Sequence, residues 1–152
     1  MFSSHRASAF GEQFHIPAAV EYGCLFSWDS GYHALALRHL DPEMARQELL
    51  ALFRANRCED GLLAHERPLP GSEARTALVT DWLGPIYRPD GRSWLIDPPV
   101  GAFAVAQLCL EAASPDLELH TLATESLAAI DRQRLLTPDG TPVLYDIIVE
   151  GV

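Results

Sequence analysis

The chain has 152 residues, 48% of them hydrophobic, which suits one domain with a buried core and excludes a disordered chain. Its formal charge of −10, from 21 acidic against 11 basic residues, repels phosphate backbones and anionic membranes, so neither nucleic acid nor a membrane is an expected partner. The three cysteines, Cys24, Cys58 and Cys109, are odd in number and lack metal-ligand spacing, which points to no disulfide, metal or other cofactor and to a reduced, cytoplasmic setting.

Residues 1–21 are broken by Ser3-Ser4, Gly11 and Pro17, and only Pro17 to Tyr22 hints at a short helical or extended piece. They hold no apolar run of the kind found in signal peptides. Nowhere does the chain approach the roughly 18 consecutive apolar residues of a membrane span. His5 and His15 have no third ligand at regular spacing and read as surface or loop histidines without a role.

The stretch from Phe26 to Leu37 places Asp29 between Trp28 and Tyr32. Asp29 stands where a helix starts, and the run from Gly31 to Leu40 is apolar around too much of its circumference for a surface helix. It predicts a buried helix with a carboxylate at its N-terminal mouth. On the residues alone, Asp29 is also an ordinary N-cap, and Trp28 and Tyr32 ordinary core aromatics.

Asp41-Pro42 then predicts an N-cap and first helical residue, opening an amphipathic helix over about 42–56. Met44, Leu49, Leu52 and Phe53 share its apolar face, while Glu43, Arg46, Gln47, Glu48 and Arg54 fall elsewhere. Residues 56–97 form a Gly- and Pro-rich stretch much longer than the usual connection of about four to six residues. It carries His65, Arg67, Trp82, Tyr87 and Trp94, with a short helix around 74–82, and long loops of this kind commonly hold binding groups. Asp97-Pro98-Pro99 restarts a helix, with Asp97 as N-cap, and the run over 100–113 is apolar on nearly every side. Ser114-Pro115-Asp116 ends it and caps an amphipathic helix over about 117–136. Residues 143–149 are β-branched and strand-like.

Two nearly all-apolar helices thus alternate with two amphipathic ones. That is the pattern of an inner ring shielded by an outer ring, and it predicts an all-α partial toroid of two inner/outer helix pairs with one long loop. A plain four-helix bundle, the competing arrangement, would carry one apolar stripe on each helix.

The strings WDSGYHALALRHLDPEMARQEL, CEDGLLAHE and IDPPV, within about residues 22–110, resemble the (α/α)6-toroid glycoside hydrolases, nearest the mannosylglycerate-hydrolase-like and family 63 enzymes. The resemblance implies a carbohydrate substrate, Asp29 as general acid, and Trp28, Tyr32, His33, His65, Glu66, Trp82, Trp94 and Asp97 as substrate-side residues. Taken alone, the same aromatics are core packing by default, and His65-Glu66-Arg67 is a solvated turn.

Glycoside hydrolysis needs a protonated acid and a second carboxylate that activates water, roughly 6.5–9.5 Å apart in inverting enzymes. Burial beside Trp28 and Tyr32 would raise the Asp29 pKa, and a helix N-terminus would lower it. A full toroid has six helix pairs, whereas the sequence predicts about two, and the family's catalytic base, a Glu on a later helix pair, has no matching position before Val152. The expectation is therefore a single partial catalytic domain over 1–152, a fragment inactive alone that associates with itself or with the missing part of the ring. The alternatives are a non-catalytic helical interaction module and a sugar-binding remnant.

Overall fold

A computed structural model describes residues 5–18 and 22–133. Strands β1 (Arg6–Ala9) and β2 (Glu12–His15) form a hairpin, and β3 (Cys24–Phe26) leads directly into helix α1 (Ser27–Leu37). Helix α2 (Pro42–Ala55), strand β4 (Glu66–Pro68), and helices α3 (Glu73–Leu83), α4 (Val100–Glu111) and α5 (Leu117–Gln133) follow. The architecture is helical with a few short strands, and the predicted helices all form within a few residues of their expected limits.

Helix α1 packs against α2 and α4, and α4 in turn packs against α5 and α2, so inner and outer helices alternate as expected. Leu49, Leu52, Phe53, Val105 and Leu119 fill the space between them. Two glycines set the spacing. A Cβ on Gly31 would lie 2.8 Å from Val100 Cγ1 and 2.9 Å from the Gly101 nitrogen, and one on Gly101 would lie 2.7 Å from Leu52 Cδ2. Only glycine lets these backbones approach so closely, which brings the first turns of α1 and α4 together.

The capping carboxylates of the outer helices act as predicted. Asp41 Oδ1 accepts from Met44 N at 3.0 Å, and Asp116 Oδ1 accepts from Leu119 N at 3.0 Å. The inner helices differ from expectation. The N-cap of α1 is Phe26, which offers no side-chain acceptor, and Asp29 lies inside the first turn. The N-cap of α4 is Pro99, and Asp97 instead accepts from Trp28 N of α1 at 2.9 Å. Helix α1 is thus capped by a carboxylate from a distant loop. Its local residues left a free amide that the first turn cannot satisfy itself.

Three further features depart from the sequence reading. Residues 6–15 form the β1–β2 hairpin, with Arg6 paired to His15, around a turn in which Phe10 and Gly11 have φ of 58° and 80°. Asn or Asp is the usual first residue of such a turn. Here Phe10 stacks on Phe14 and lies under the Arg67 guanidinium, 3.9 Å from its ring centroid. Glu48, expected on a polar face, is 1% exposed and accepts from Ser30 Oγ at 2.8 Å and His15 N at 2.9 Å, with His15 Nδ1 at 2.8 Å. His15 is accordingly a core residue, joining the hairpin to α2. Helix α4 is not buried all round: Gly101, Ala102, Ala104 and Val105 are buried, while Phe103 and Leu110 are 56% and 79% exposed. The strand-like run at 143–149 lies outside the described residues.

Candidate active site

The site is assembled by pairing β3 with β4, which sets Phe26 opposite Glu66 immediately before α1 begins. Ser27 completes the junction: its amide donates to His65 O at 2.9 Å and its hydroxyl to Ala64 O at 2.6 Å. These bonds tie the first turn of α1 to the 64–66 segment. A cleft of about 460 Å³ opens beside that junction, lined by Trp28, Asp29, His65, Glu66, Arg75 and Trp82 together with Tyr22, Phe26 and several aliphatic side chains. One wall is α3, whose Arg75, Val79, Trp82 and Leu83 recur at helical spacing and all face the cleft.

Asp29 is half-buried in this cleft. Burial pushes its pKa up, the nearby His33 opposes that, and the charge of Asp97 adds to it; the net direction is upward. Desolvation therefore outweighs the pull of His33 and His65 towards the charged form. His65 also titrates higher than an ordinary histidine. Burial works against its charged form, but the hydrogen bond from Nδ1 to Asp97 Oδ1 at 2.5 Å, with the charges of Asp97, Glu66 and Asp29, outweighs it.

Glu66 lines the cleft but is fully engaged. Arg75 donates to it twice, at 2.9 and 2.8 Å, and the Tyr87 hydroxyl donates to Oε1 as well. Bidentate pairing of this kind fixes the carboxylate in place. Cys24, fully buried near Glu66, has its thiol pushed up to about 12 by burial and by the Glu66 charge, so it is no nucleophile.

Of the residues singled out in the sequence, Trp28, Asp29, His65, Glu66 and Trp82 come together around the cleft. Tyr32 stands edge-on to Trp28, with ring centroids 6.3 Å apart and 56% exposed. His33 turns towards the core, its Nδ1 3.6 Å from Glu48 Oε1. Asp97 lies behind the cleft, and Trp94 lies outside its lining, stacked under Arg88 at 4.2 Å. The sequence reading missed Arg75 and named Tyr87 only as one of the groups of the long loop; the i, i+4, i+7, i+8 spacing of Arg75, Val79, Trp82 and Leu83 announces the cleft-facing side of α3. Among the described residues no group of three or more His, Cys, Asp or Glu side chains is set to hold a metal ion, and no helix is long and apolar enough to cross a membrane.

The profile of the mannosylglycerate hydrolase MGH1-like glycoside hydrolase domain matches residues 22–133, which include every residue of this site except Pro17. The chain belongs to that family. As an MGH1-like domain it is also similar to a solved structure, the GH63 mannosylglycerate hydrolase from Thermus thermophilus in complex with Tris and D-glycerate. The two share 26% identity with a TM-score of 0.69, and the match covers 99% of this chain. The MGH1-like chain spans 36% of the length of that enzyme. No curated protein matches the sequence.

Proposed function

We propose that this MGH1-like domain supplies the acid side of a glycosidase site, with Asp29 as the general acid that protonates the leaving oxygen of an α-glucoside, an α-mannoside or mannosylglycerate. The observation that carries the reading is the position of Asp29. It lines an aromatic cleft at the mouth of an inner helix, and burial favours the protonated form that an acid needs. Trp28 and Trp82 offer flat apolar faces on which a pyranose ring stacks, with Tyr32 at the rim. His65 and Glu66 complete the polar lining, Glu66 by holding Arg75 at the wall.

Hydrolysis also requires a carboxylate that activates water on the opposite face of the sugar. Glu66 is committed to Arg75 and Tyr87, and Asp97 is committed to Trp28 and His65, so neither is free for that role. On this reading the base is not among the described residues, and the 152-residue chain binds sugar without turning it over. Exposed Phe103, Leu110 and Trp82 further support association with a second polypeptide surface.

The test is titration of the chain with mannosylglycerate and with short α-glucosides and α-mannosides, read by tryptophan fluorescence, alongside a hydrolysis assay. Saturable quenching that Trp82→Ala weakens, without turnover, is the expected result. No saturable response to any of these sugars would overturn the proposal. Turnover abolished by Asp29→Asn would place the second carboxylate inside the chain and overturn the reading that the chain lacks a base.

A further inference from the structure

Asp97 has a role that neither its position in the sequence nor the cleft lining suggests. Its side chain is 2% exposed and does not reach the cleft, so it is unavailable to substrate. Its two oxygens nevertheless hold two parts of the site. Oδ2 accepts from the Trp28 amide at 2.9 Å, one residue before Asp29, and Oδ1 lies 2.5 Å from His65 Nδ1.

A carboxylate can only accept, so His65 must donate through Nδ1–H. That fixes the ring's tautomer and orientation, as second groups behind functional histidines do. The other nitrogen, Nε2, has Glu66 Oε2 at 4.0 Å, beyond hydrogen-bonding distance, and Glu66 is already satisfied by Arg75 and Tyr87. Nε2 is thus left to the cleft that His65 lines.

We infer that Asp97 is a positioning residue, which by holding the Trp28 amide and His65 Nδ1–H together fixes Asp29 and His65 Nε2 as one unit facing the sugar. The inference rests on the reading of Asp29 as general acid. Within the unit, the charged and titratable neighbours are Asp29 and His33 on α1, His65 and Glu66 at β4, Arg75 on α3, and Asp97 before α4. The raised titration of His65 accords with it: burial alone would lower it, and Asp97 supplies the larger opposing effect.

The test is nuclear magnetic resonance on the 152-residue chain, following the His65 ring nitrogens and the Asp29 carboxyl carbon through a pH titration, in wild type and in Asp97→Asn. The Asn carbonyl still accepts from Trp28, so the variant should keep its melting temperature. Its amide group faces Nδ1 with donors instead of acceptors. The expected result is a switch of neutral His65 to the Nε2–H tautomer, a fall in its pKa, and a downward move of Asp29. An unchanged His65 tautomer and pKa in a folded Asp97→Asn would overturn the inference.

Should Asp97→Asn not fold, His65→Gln leaves the Trp28 cap in place and removes only the imidazole. Asp29 should then titrate higher at an unchanged melting temperature, and an unmoved Asp29 would overturn the inference. Neither readout uses sugar. Failure here with intact sugar binding removes the positioning role alone, whereas loss of sugar binding with the resonance shifts present removes the glycosidase reading.

Discussion

Gly31 of α1 and Val100 of α4 meet so closely that a Cβ on the glycine would stand 2.8 Å from Val100 Cγ1. The nearby Gly101 nitrogen, at 2.9 Å from the same point, is backbone and cannot swing away. Gly31→Ala should therefore force the two inner helices apart in spite of alanine's better helix propensity. Overpacking of this kind costs about 1–3 kcal/mol, and urea denaturation of the variant should show a loss in that range. Because the same contact brings Asp29 and Asp97 together, the His65–Asp97 pair should loosen with it.

A second prediction concerns Glu48. Burial would raise its pKa, but the hydrogen bonds from His15, His33 and Ser30 outweigh that, and the net direction is down. A carboxylate lowered on folding contributes stability above its unfolded pKa, of about 4.3, and loses it as pH falls through the folded value. Glu48→Ala should cost about 3–5 kcal/mol at pH 7, the usual cost of stripping one partner from a buried polar cluster. In acid the gap between wild type and variant should narrow; chemical denaturation at several pH values measures both.

The helices were legible because their apolar spacing and caps are local. Asp41 and Asp116 cap the segments they open, and the predicted limits of α2 lie within a residue of those found. What sequence could not convey was partnership over distance. Asp29 and Asp97 both looked like N-caps, yet the cap of α1 comes from 69 residues away and Asp29 is left facing the cleft. Glu48 looked like a surface residue because Ser30 and His15, which satisfy it, lie in other segments. The β1–β2 hairpin was hidden by a Phe-Gly turn, and β3 and β4, at three residues each, are too short to show alternation. At the site, Trp28, Asp29, His65, Glu66 and Trp82 line one cleft. Trp94 does not, and Arg75 drew no notice because its partners, Glu66 and Tyr87, lie outside the short helix that carries it.

A third prediction follows from the outward side of α4 and from α3. Phe103, Leu110, Leu78 and Trp82 are all more than half exposed, an unusual density of large apolar side chains for a lone surface. The 152-residue chain should self-associate or bind a hydrophobic dye. Sizing with light scattering and a dye titration check it, and a single sharp monomer peak without dye binding would speak against it.

Asp29 lies in a setting that disfavours its charge, and on the proposed reading it is kept there for chemistry and not for its service to the fold. Since folding raises its pKa, the protein gains stability from this group at low pH and loses it as pH rises from the unfolded value, of about 3.9, through the folded one. Asp29→Asn removes the charge and keeps the shape. The measurement is the melting temperature of Asp29→Asn against wild type across pH. The variant should be the more stable at pH 7, and the difference should vanish below about pH 3.9. A loss of stability above about 1 kcal/mol at pH 7 would contradict it, because it would reveal a structural partner that needs the carboxylate.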